Sequence, residues 1–295
     1  MPPRTQDISP CPACGETRFA FRFTKKGRDF WRCTRCGLEK QHPLPSLAEL
    51  KAYYDAAYAD GMYKTFTDAD EMKRMTAARR YREIAPRAIA GHWLDVGCAN
   101  GVFMAHAAAQ GHEVSGIDLS DVAVAQAREK GLDATCTTIA DYAPGRTFDT
   151  ITGFDVLEHV LDPGGFLDDA RRLIARDGRL FLTVPDTASI IRKVMGSRWY
   201  FYIPEEHLHY YDPSTIRLIL ARHGFEAIRV SRTFKPISYA YALTQFREYN
   251  PLIFKLLNAA GALLPRALKE RPVPLYIGEM MVTARPANMP MCSAN

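Results

Sequence analysis

Residues 92–118, HWLDVGCANGVFMAHAAAQGHEVSGID, restrict the fold more than any other part of the chain. They read as a strand carrying Trp93, Leu94 and Val96, a turn of small residues, an Ala-rich helix, and a second strand that ends in Asp118. Gly97, Ala99 and Gly101 leave room for a ligand to press against backbone N–H groups at the start of a helix. An acid that closes the next strand can accept hydrogen bonds from both hydroxyls of a ribose. Together these features describe a nucleoside pocket; the bland alternative is a strand-to-helix turn that binds nothing.

A dinucleotide site would need G-x-G-x-x-G, with a pyrophosphate on the helix dipole. Here the small residues fall at every second position and Asp95 precedes them, where its carboxylate would repel a pyrophosphate. A ligand bearing an ammonium or sulfonium group suits that carboxylate. The segment resembles motif I of the class I S-adenosylmethionine (SAM) methyltransferases. That family usually has glycine where this chain has Ala99, a change that tightens the pocket by one methyl. The resemblance implies a Rossmann-like seven-stranded, mostly parallel sheet. It also implies that Asp95 orients the methionine ammonium, directly or through water. Gly97, Cys98, Ala99 and Gly101 would bring backbone against the cofactor, and Asp118 with Leu119 would hold the ribose.

Strand and helix patterns keep alternating downstream, as expected of a parallel sheet with helices on both faces. Ser120 caps a helix reaching Lys130, and strands are predicted over 132–137, 148–154 and 179–184. The third strand ends beside Ala140 and Asp141, expected to meet the adenine edge; Asp141 reads equally well as a turn residue. The fourth ends at Phe154, another expected cofactor contact, and runs into Asp155-Val156-Leu157-Glu158-His159-Val160 and Leu161-Asp162-Pro163. This string resembles ubiquinone-pathway O-methyltransferases and bacterial methyltransferases that modify small molecules and saccharides. Glu206-His207-Leu208-His209-Tyr210-Tyr211, before a helix expected to be capped by Ser214, agrees with it, as does Arg222-His223-Gly224-Phe225. Strands are predicted over 225–231 and 275–284, and the resemblance makes the last one antiparallel and inserted beside its neighbour. It covers nearly the whole chain, is specific for methyl transfer and says little about the substrate.

Four of the seven cysteines form two matched pairs, Cys11-Pro-Ala-Cys14 and Cys33-Thr-Arg-Cys36, separated by 18 residues. This C-x2-C…C-x2-C spacing fits a tetrahedral structural zinc site. Phe19, Phe21 and Phe23 alternate between the pairs, and Phe30-Trp31 follow a Lys26-Gly27 turn, so the module reads as a hairpin-based zinc ribbon. Cys98, Cys136 and Cys292 are expected to be free thiols. Residues 1–45 hold nine basic and four acidic side chains, an excess equal to the whole chain's net charge of +5. Four thiolates around Zn²⁺ would cut the local excess to about +3. A nucleic-acid-binding ribbon and a small solvated basic face are both open, and the second is the simpler.

The expected organisation is a ribbon (1–42), a helical linker and cofactor lid (43–90), a SAM-binding domain (91–285) with a helical insertion (236–270), and a frayed tail (286–295). Ser46 and Glu49 make a capping box for a first helix bearing Tyr53, Tyr54 and Tyr58. A second helix over 68–90 carries Arg74, Arg79, Arg80 and Arg87; the resemblance implies that Tyr53, Tyr54 or Arg79 faces the methionine carboxylate, and the alternative is a surface helix with solvated arginines. Residues 239–266 read as an apolar helical region that lines a substrate channel, pairs in a homodimer or rests peripherally on a membrane. No run of 18 apolar residues and no apolar signal core are present, so the expected setting is the cytoplasm.

A sulfonium methyl is already electrophilic, so the protein's main task would be alignment for in-line displacement. An oxygen acceptor must also lose a proton, and His159, His207 and His209 are the candidate bases. Asp155, Glu158 and His159 stand at i, i+3 and i+4 and would share one face of a helix. The resemblance implies a divalent cation such as Mg²⁺ on these three; otherwise Glu158 and His159 brace the helix against the sheet. Trp199, Tyr200, Phe201 and Tyr202 either stack on a ring or sugar or plug the core. The expected activity is methyl transfer to an oxygen of a small-molecule or glycan intermediate. The alternatives are an RNA methyltransferase that grips RNA with the ribbon, and a binding protein that has kept the fold without catalysis.

Overall fold

Four short strands open the structure, a computed structural model that describes residues 5–59, 69–239, 243, 251–262 and 265–288. They are β1 (Thr5–Asp7), β2 (Arg18–Lys25), β3 (Arg28–Cys33) and β4 (Glu39–His42). Lys26 and Gly27 join β2 to β3 with φ of 48° and 76°. Positive φ at both residues of a two-residue loop gives the turn whose twist matches a hairpin. Two helices follow, α1 (Leu47–Ala59) and α2 (Ala69–Ile84). The capping box before α1 forms as expected: the Ser46 N–H donates to Glu49 Oε2 (2.7 Å) and the Glu49 N–H to Ser46 Oγ (3.2 Å).

The remaining elements are β5 (His92–Val96), α3 (Val102–Ala109), β6 (Glu113–Asp118), α4 (Asp121–Arg128), β7 (Asp133–Cys136), β8 (Phe148–Phe154), α5 (Pro163–Leu173), β9 (Ile174–Pro185), α6 (Ile190–Met195), β10 (His209–Tyr210), α7 (Pro213–Arg222), β11 (Phe225–Ile237) and β12 (Val273–Pro286). Short helices over Pro251–Gly261 and Arg266–Glu270 lie between β11 and β12. Seven strands form one sheet in the order β11-β12-β9-β8-β5-β6-β7. From β9 to β7 every pairing is parallel, and β12 is antiparallel to both of its neighbours. The expected seven-stranded α/β sheet, with its inserted last strand, is therefore present.

Helix α5 shows how sequence produces one of these layers. Asp162 caps it by accepting from the Gly164 and Gly165 N–H groups (3.0 and 3.1 Å), and Pro163 supplies a preset first turn. Phe166, Leu167, Ala170 and Leu173 recur at helical spacing and are buried. Each large side chain removed from water there contributes about 1.5–3 kcal/mol. Helix α7 differs from expectation at its start: Asp212, not Ser214, is the cap, accepting from the Ser214 and Thr215 N–H groups. A carboxylate one residue before a proline outcompetes a hydroxyl that lies inside the first turn.

The ribbon is not a tethered module. Strand β10 pairs antiparallel with β4 and so becomes the fifth strand of the ribbon's own sheet. One apolar cluster runs from Phe19, Trp31 and Leu38 to Leu157, Tyr211, Ile216 and Ile219. A second joins Phe30 to Trp199, Tyr202 and Tyr210. Several basic side chains of the ribbon are engaged within the fold. Lys40 is buried and donates to the Ser9 carbonyl (2.6 Å) and hydroxyl (2.8 Å), Lys25 donates to the Trp199 carbonyl (3.3 Å), and Arg22 and Lys26 pair with Glu39 and Glu205. Among the described residues no helix is long and apolar enough to cross a membrane. Much of the expected helical insertion, including 244–250, lies outside the described residues, as does Cys292.

Candidate active site

A cavity of about 1370 Å³ opens at the carboxyl ends of the parallel strands, where ligands bind in open α/β sheets. Pockets for one small ligand span roughly 300–1,000 Å³, so this larger space has room for a donor and an acceptor together. Strand β5 ends in the floor with Asp95, Val96 and Gly97, and β6 ends with Asp118 and Leu119. Cys98, Ala99, Ala140, Asp141 and Phe154 also line it, as do Asp155, His159 and His207. Of the residues expected to contact the cofactor, Gly101, Tyr53 and Arg79 are outside the lining, while Tyr54 is in it.

The turn after β5 owes its small residues partly to packing. Gly97 has φ +70°, and a Cβ there would lie 2.4 Å from Val156 Cγ2. Gly101, at φ +78°, caps α3, and a Cβ would lie 2.3 Å from Leu132 Cδ1. The space above both glycines is thus filled by the protein's own side chains. Ala99 also sits in the left-handed region, at φ 50°, where a non-glycine residue pays about 1–2 kcal/mol. Its N–H donates to Asp118 Oδ2 (2.8 Å), and the Ser120 N–H donates to Asp118 Oδ1 (2.9 Å). Burial raises the Asp118 carboxyl above its ordinary pKa, and these backbone donors oppose the rise. Asp141 is held locally, its carboxylate accepting from the Thr138 hydroxyl (2.6 Å).

Asp95 is buried and accepts from the Thr152 hydroxyl (2.7 Å). Burial pushes its carboxyl up to about 7, with Thr152 and Arg80 opposing. A carboxyl whose pKa rises on folding binds its proton more tightly in the folded chain. Its contribution to stability is then fully present below about pH 4 and is lost as pH rises through about 7. In Asp95→Asn the Thr152 hydrogen bond survives and the titration is gone. The melting temperature of this variant relative to wild type is expected to climb by several degrees between pH 5 and pH 8. A difference that stays constant with pH, measured by calorimetry, would overturn the burial argument.

The segment after β8 departs from expectation. Residues 155–159 form a turn, not a helix, and Asp155 has φ 56°. The three side chains expected on one helical face therefore separate. Asp155 accepts from Arg80, from Lys235 (3.0 Å) and from the Thr183 hydroxyl (2.8 Å). Burial alone would raise its pKa, but the Arg80 guanidinium and the Lys235 ammonium hold it well below the usual carboxylate range. It is a fixed counter-charge, poorly suited to taking a proton. Glu279 on β12 pairs with the same Lys235 (2.7 Å).

Glu158 and His159 are joined instead by His207, and their ligating atoms all lie within 4.8 Å of one another. The His159 and His207 rings are 4.6 Å apart, and the Tyr54 hydroxyl lies 2.8 Å from His159 Nδ1. Glu158 Oε2 and His207 Nδ1 are buried without a hydrogen-bond partner. Burial, reinforced by Asp155, pushes Glu158 well above the usual range. Burial, reinforced by His159, pushes His207 well below it. His209 does not join them: it pairs with Lys40 in the ribbon sheet and is absent from the cavity lining.

Arg80, not Arg79, enters the cavity. Arg79 pairs with Glu83 (3.0 Å) on its own helix and lies over the Phe234 ring. The aromatic run over 199–202 splits. Trp199 and Tyr202 plug the ribbon interface, while Tyr200 and Phe201 face the cavity with Ile203, Ile237 and Ile277. Lys235 and Glu279 carried no local signal in the sequence, because long strands bring them in from the far end of the chain.

In the ribbon, Sγ of Cys11 lies 3.5 Å from that of Cys36, Sγ of Cys14 lies 3.5 Å from that of Cys33, and all four fall within 4.8 Å. A zinc–sulfur bond of about 2.3 Å makes a tetrahedron with edges near 3.8 Å, so this donor set fits a Zn²⁺ ion.

A family profile described as a methyltransferase domain matches residues 67–230. Ubiquinone biosynthesis O-methyltransferase of Thiobacillus denitrificans is 30% identical over 176 residues, which cover 54% of this chain and 75% of that protein. The protein of the same name from Nitrosomonas europaea is 30% identical over 166 residues, covering 51% and 70%. Among solved structures, magnesium protoporphyrin IX methyltransferase of Synechocystis with bound S-adenosylhomocysteine superposes with a TM-score of 0.54 at 16% identity, over 82% of this chain and all of that one. The 1,6-didemethyltoxoflavin-N1-methyltransferase of Burkholderia thailandensis gives 0.53 at 16% identity, over 91% and 99%. These structural likenesses concern the fold. The sequence matches, on a cavity at the ends of β5 and β6, identify the chain as a member of the class I SAM-dependent methyltransferases.

Proposed function

We propose that this methyltransferase holds its donor at Asp95 and Asp118 and methylates a hydroxyl group presented at Glu158, His159 and His207. The observation that carries this reading is the meeting of those three side chains in the same cavity as the two aspartates, with Glu158 Oε2 and His207 Nδ1 buried and unpartnered. SAM supplies an electrophilic methyl on a sulfonium. Asp95 would face the methionine ammonium, and Asp118 has lone pairs left for ribose hydroxyls after its two backbone bonds. Gly97, Cys98 and Ala99 would lie along the donor, with Leu119, Ala140, Asp141 and Phe154 around the adenosine.

Glu158, His159 and His207 offer one carboxylate and two imidazoles, a set that replaces the one with Asp155 inferred from spacing and suits a divalent transition metal such as Fe²⁺ or Zn²⁺ better than the expected Mg²⁺. The metal's chemistry when bound would be to lower the pKa of the acceptor hydroxyl. The two histidines stay neutral at pH 7, the form needed both for ligation and for accepting a proton. The relatives named as O-methyltransferases support an oxygen acceptor. The wall of Tyr200, Phe201, Ile203 and Ile277 favours a small molecule with an apolar body. With Lys25 and Lys40 engaged inside the fold and Arg22 and Lys26 paired with Glu39 and Glu205, the ribbon (1–42) is better read as a zinc-bound scaffold than as an RNA grip. The unpaired Cys98 and Cys136 support a reducing, cytoplasmic setting.

Incubation with methyl-labelled SAM and a whole source-cell extract tests the reading. Label should appear as a methyl ether, activity should vanish on chelation with ribbon zinc retained, and a divalent transition metal should restore it. Label on nitrogen, carbon or RNA would overturn the oxygen acceptor, and full activity in chelator would remove the cation.

A further inference from the structure

The cavity wall over 200–207 has little regular structure of its own, yet it carries Tyr200, Phe201, Ile203, Glu206 and His207. Its anchors lie on two residues of β4, Glu39 and Gln41. Glu39 accepts from the Tyr202 hydroxyl (2.6 Å) and from Arg192 (2.7 Å) at one end. Gln41, fully buried, takes the other end. Its backbone N–H donates to the Leu208 carbonyl (2.9 Å), and its side-chain Nε2 donates to the carbonyls of Pro204 (3.0 Å) and His207 (2.6 Å). The Tyr210 hydroxyl also donates to the His207 carbonyl (2.8 Å). From the opposite side, the Leu208 and His209 N–H groups both donate to the Glu158 carbonyl (2.7 and 3.1 Å). The His207 segment is thus clamped between the ribbon's last strand and the turn that bears Glu158 and His159.

We propose that Gln41 is a positioning residue for methyl transfer: it fixes the His207 segment against the cavity, which gives the ribbon a part in catalysis. This rests on the reading that His207 faces the acceptor. One amide nitrogen with two N–H groups can bridge two carbonyls three residues apart. Methionine matches glutamine in length and volume but donates nothing. Glutamate would set acceptors against acceptors. Without the side-chain clamp, the His207 carbonyl keeps only the Tyr210 bond, and a shift of about 1 Å in an aligned side chain costs on the order of a hundredfold in rate.

The test compares Gln41→Met, Tyr210→Phe and His207→Asn with wild type, all loaded with zinc. Tyr210→Phe removes the second donor to the same carbonyl and guards against a folding failure of the first variant. Gln41→Met should speed amide exchange over 204–208 about tenfold or more, as expected from two lost hydrogen bonds of about 1 kcal/mol each. SAM affinity by calorimetry should stay within about twofold, because Asp95 and Asp118 lie elsewhere, while label transfer to the small-molecule fraction of a source-cell extract should fall at least about tenfold. Tyr210→Phe should move exchange and transfer in the same direction by less. Faster exchange with unchanged transfer overturns the proposal. If His207→Asn is then equally silent, the fault is in the role given to His207; if His207→Asn is slow, it is in Gln41 alone. Faster exchange throughout the ribbon with a matching fall in SAM affinity also overturns it, marking Gln41 as an ordinary structural residue.

Discussion

Cys33→Ser should strip the ribbon of its metal and lower the melting temperature by more than about 10 °C. Structural zinc contributes on the order of 10–16 kcal/mol of apparent binding energy in small zinc modules, and a serine hydroxyl at neutral pH does not replace a thiolate. Even a third of that energy, about 3–5 kcal/mol, is a large share of a domain's margin of about 5–15 kcal/mol, and about 1 kcal/mol moves the melting point of a chain this size by roughly 2–4 °C. The damage should not stop at the ribbon. Cys33 packs in the same cluster as Leu157, Tyr211 and Ile216, and β4 carries β10. Zinc content by atomic absorption and a calorimetric scan check the result. A variant that keeps one equivalent of metal and melts within about 2 °C of wild type would remove the zinc assignment.

Asp118→Ala should weaken SAM binding more than a hundredfold while the protein still melts cooperatively. Hydrogen bonds to a charged acceptor contribute about 1.5–3 kcal/mol each, so losing two ribose contacts raises Kd by at least two powers of ten. A further loss comes through the turn. Ala99 holds its left-handed backbone by donating to Asp118 Oδ2 (2.8 Å), and without that partner the cradle loosens. Asp118→Asn keeps the volume but turns an N–H toward at least one existing backbone donor, so it should rescue little. Titration calorimetry decides the matter: a Kd within about threefold of wild type for Asp118→Ala would mean that the donor lies elsewhere.

Several parts of the site were legible because their signals are local. Asp95, the small residues after it and Asp118 sit within one strand–turn–helix–strand unit, and the cysteine pairs declare themselves by spacing. The same locality misled the reading of Asp155, Glu158 and His159, since helical spacing counts only where the backbone is helical. With φ 56° at Asp155, the chain turns and sends that carboxylate to Arg80 and Lys235. Arg79 and Arg80 differ by about 100° around a helix, and nothing in the flanking residues tells which one meets the cavity. The argument that His207 and His209 point the same way assumed an extended chain. Only His209 is in a strand, and that strand belongs to the ribbon sheet.

The amino-acid order alone determined the α/β layering, the turn of small residues between Asp95 and Asp118, and the four-thiol cluster, because each depends on neighbours a few residues apart. Tertiary structure decided which charges meet and which side chains share a cavity. Lys235 and Glu279 reach Asp155 through the β11–β12 pairing, and His207 reaches Glu158 because the ribbon lends its sheet to β10. Contacts of that range depend on how whole elements pack, and packing leaves no periodic mark on the residues it brings together.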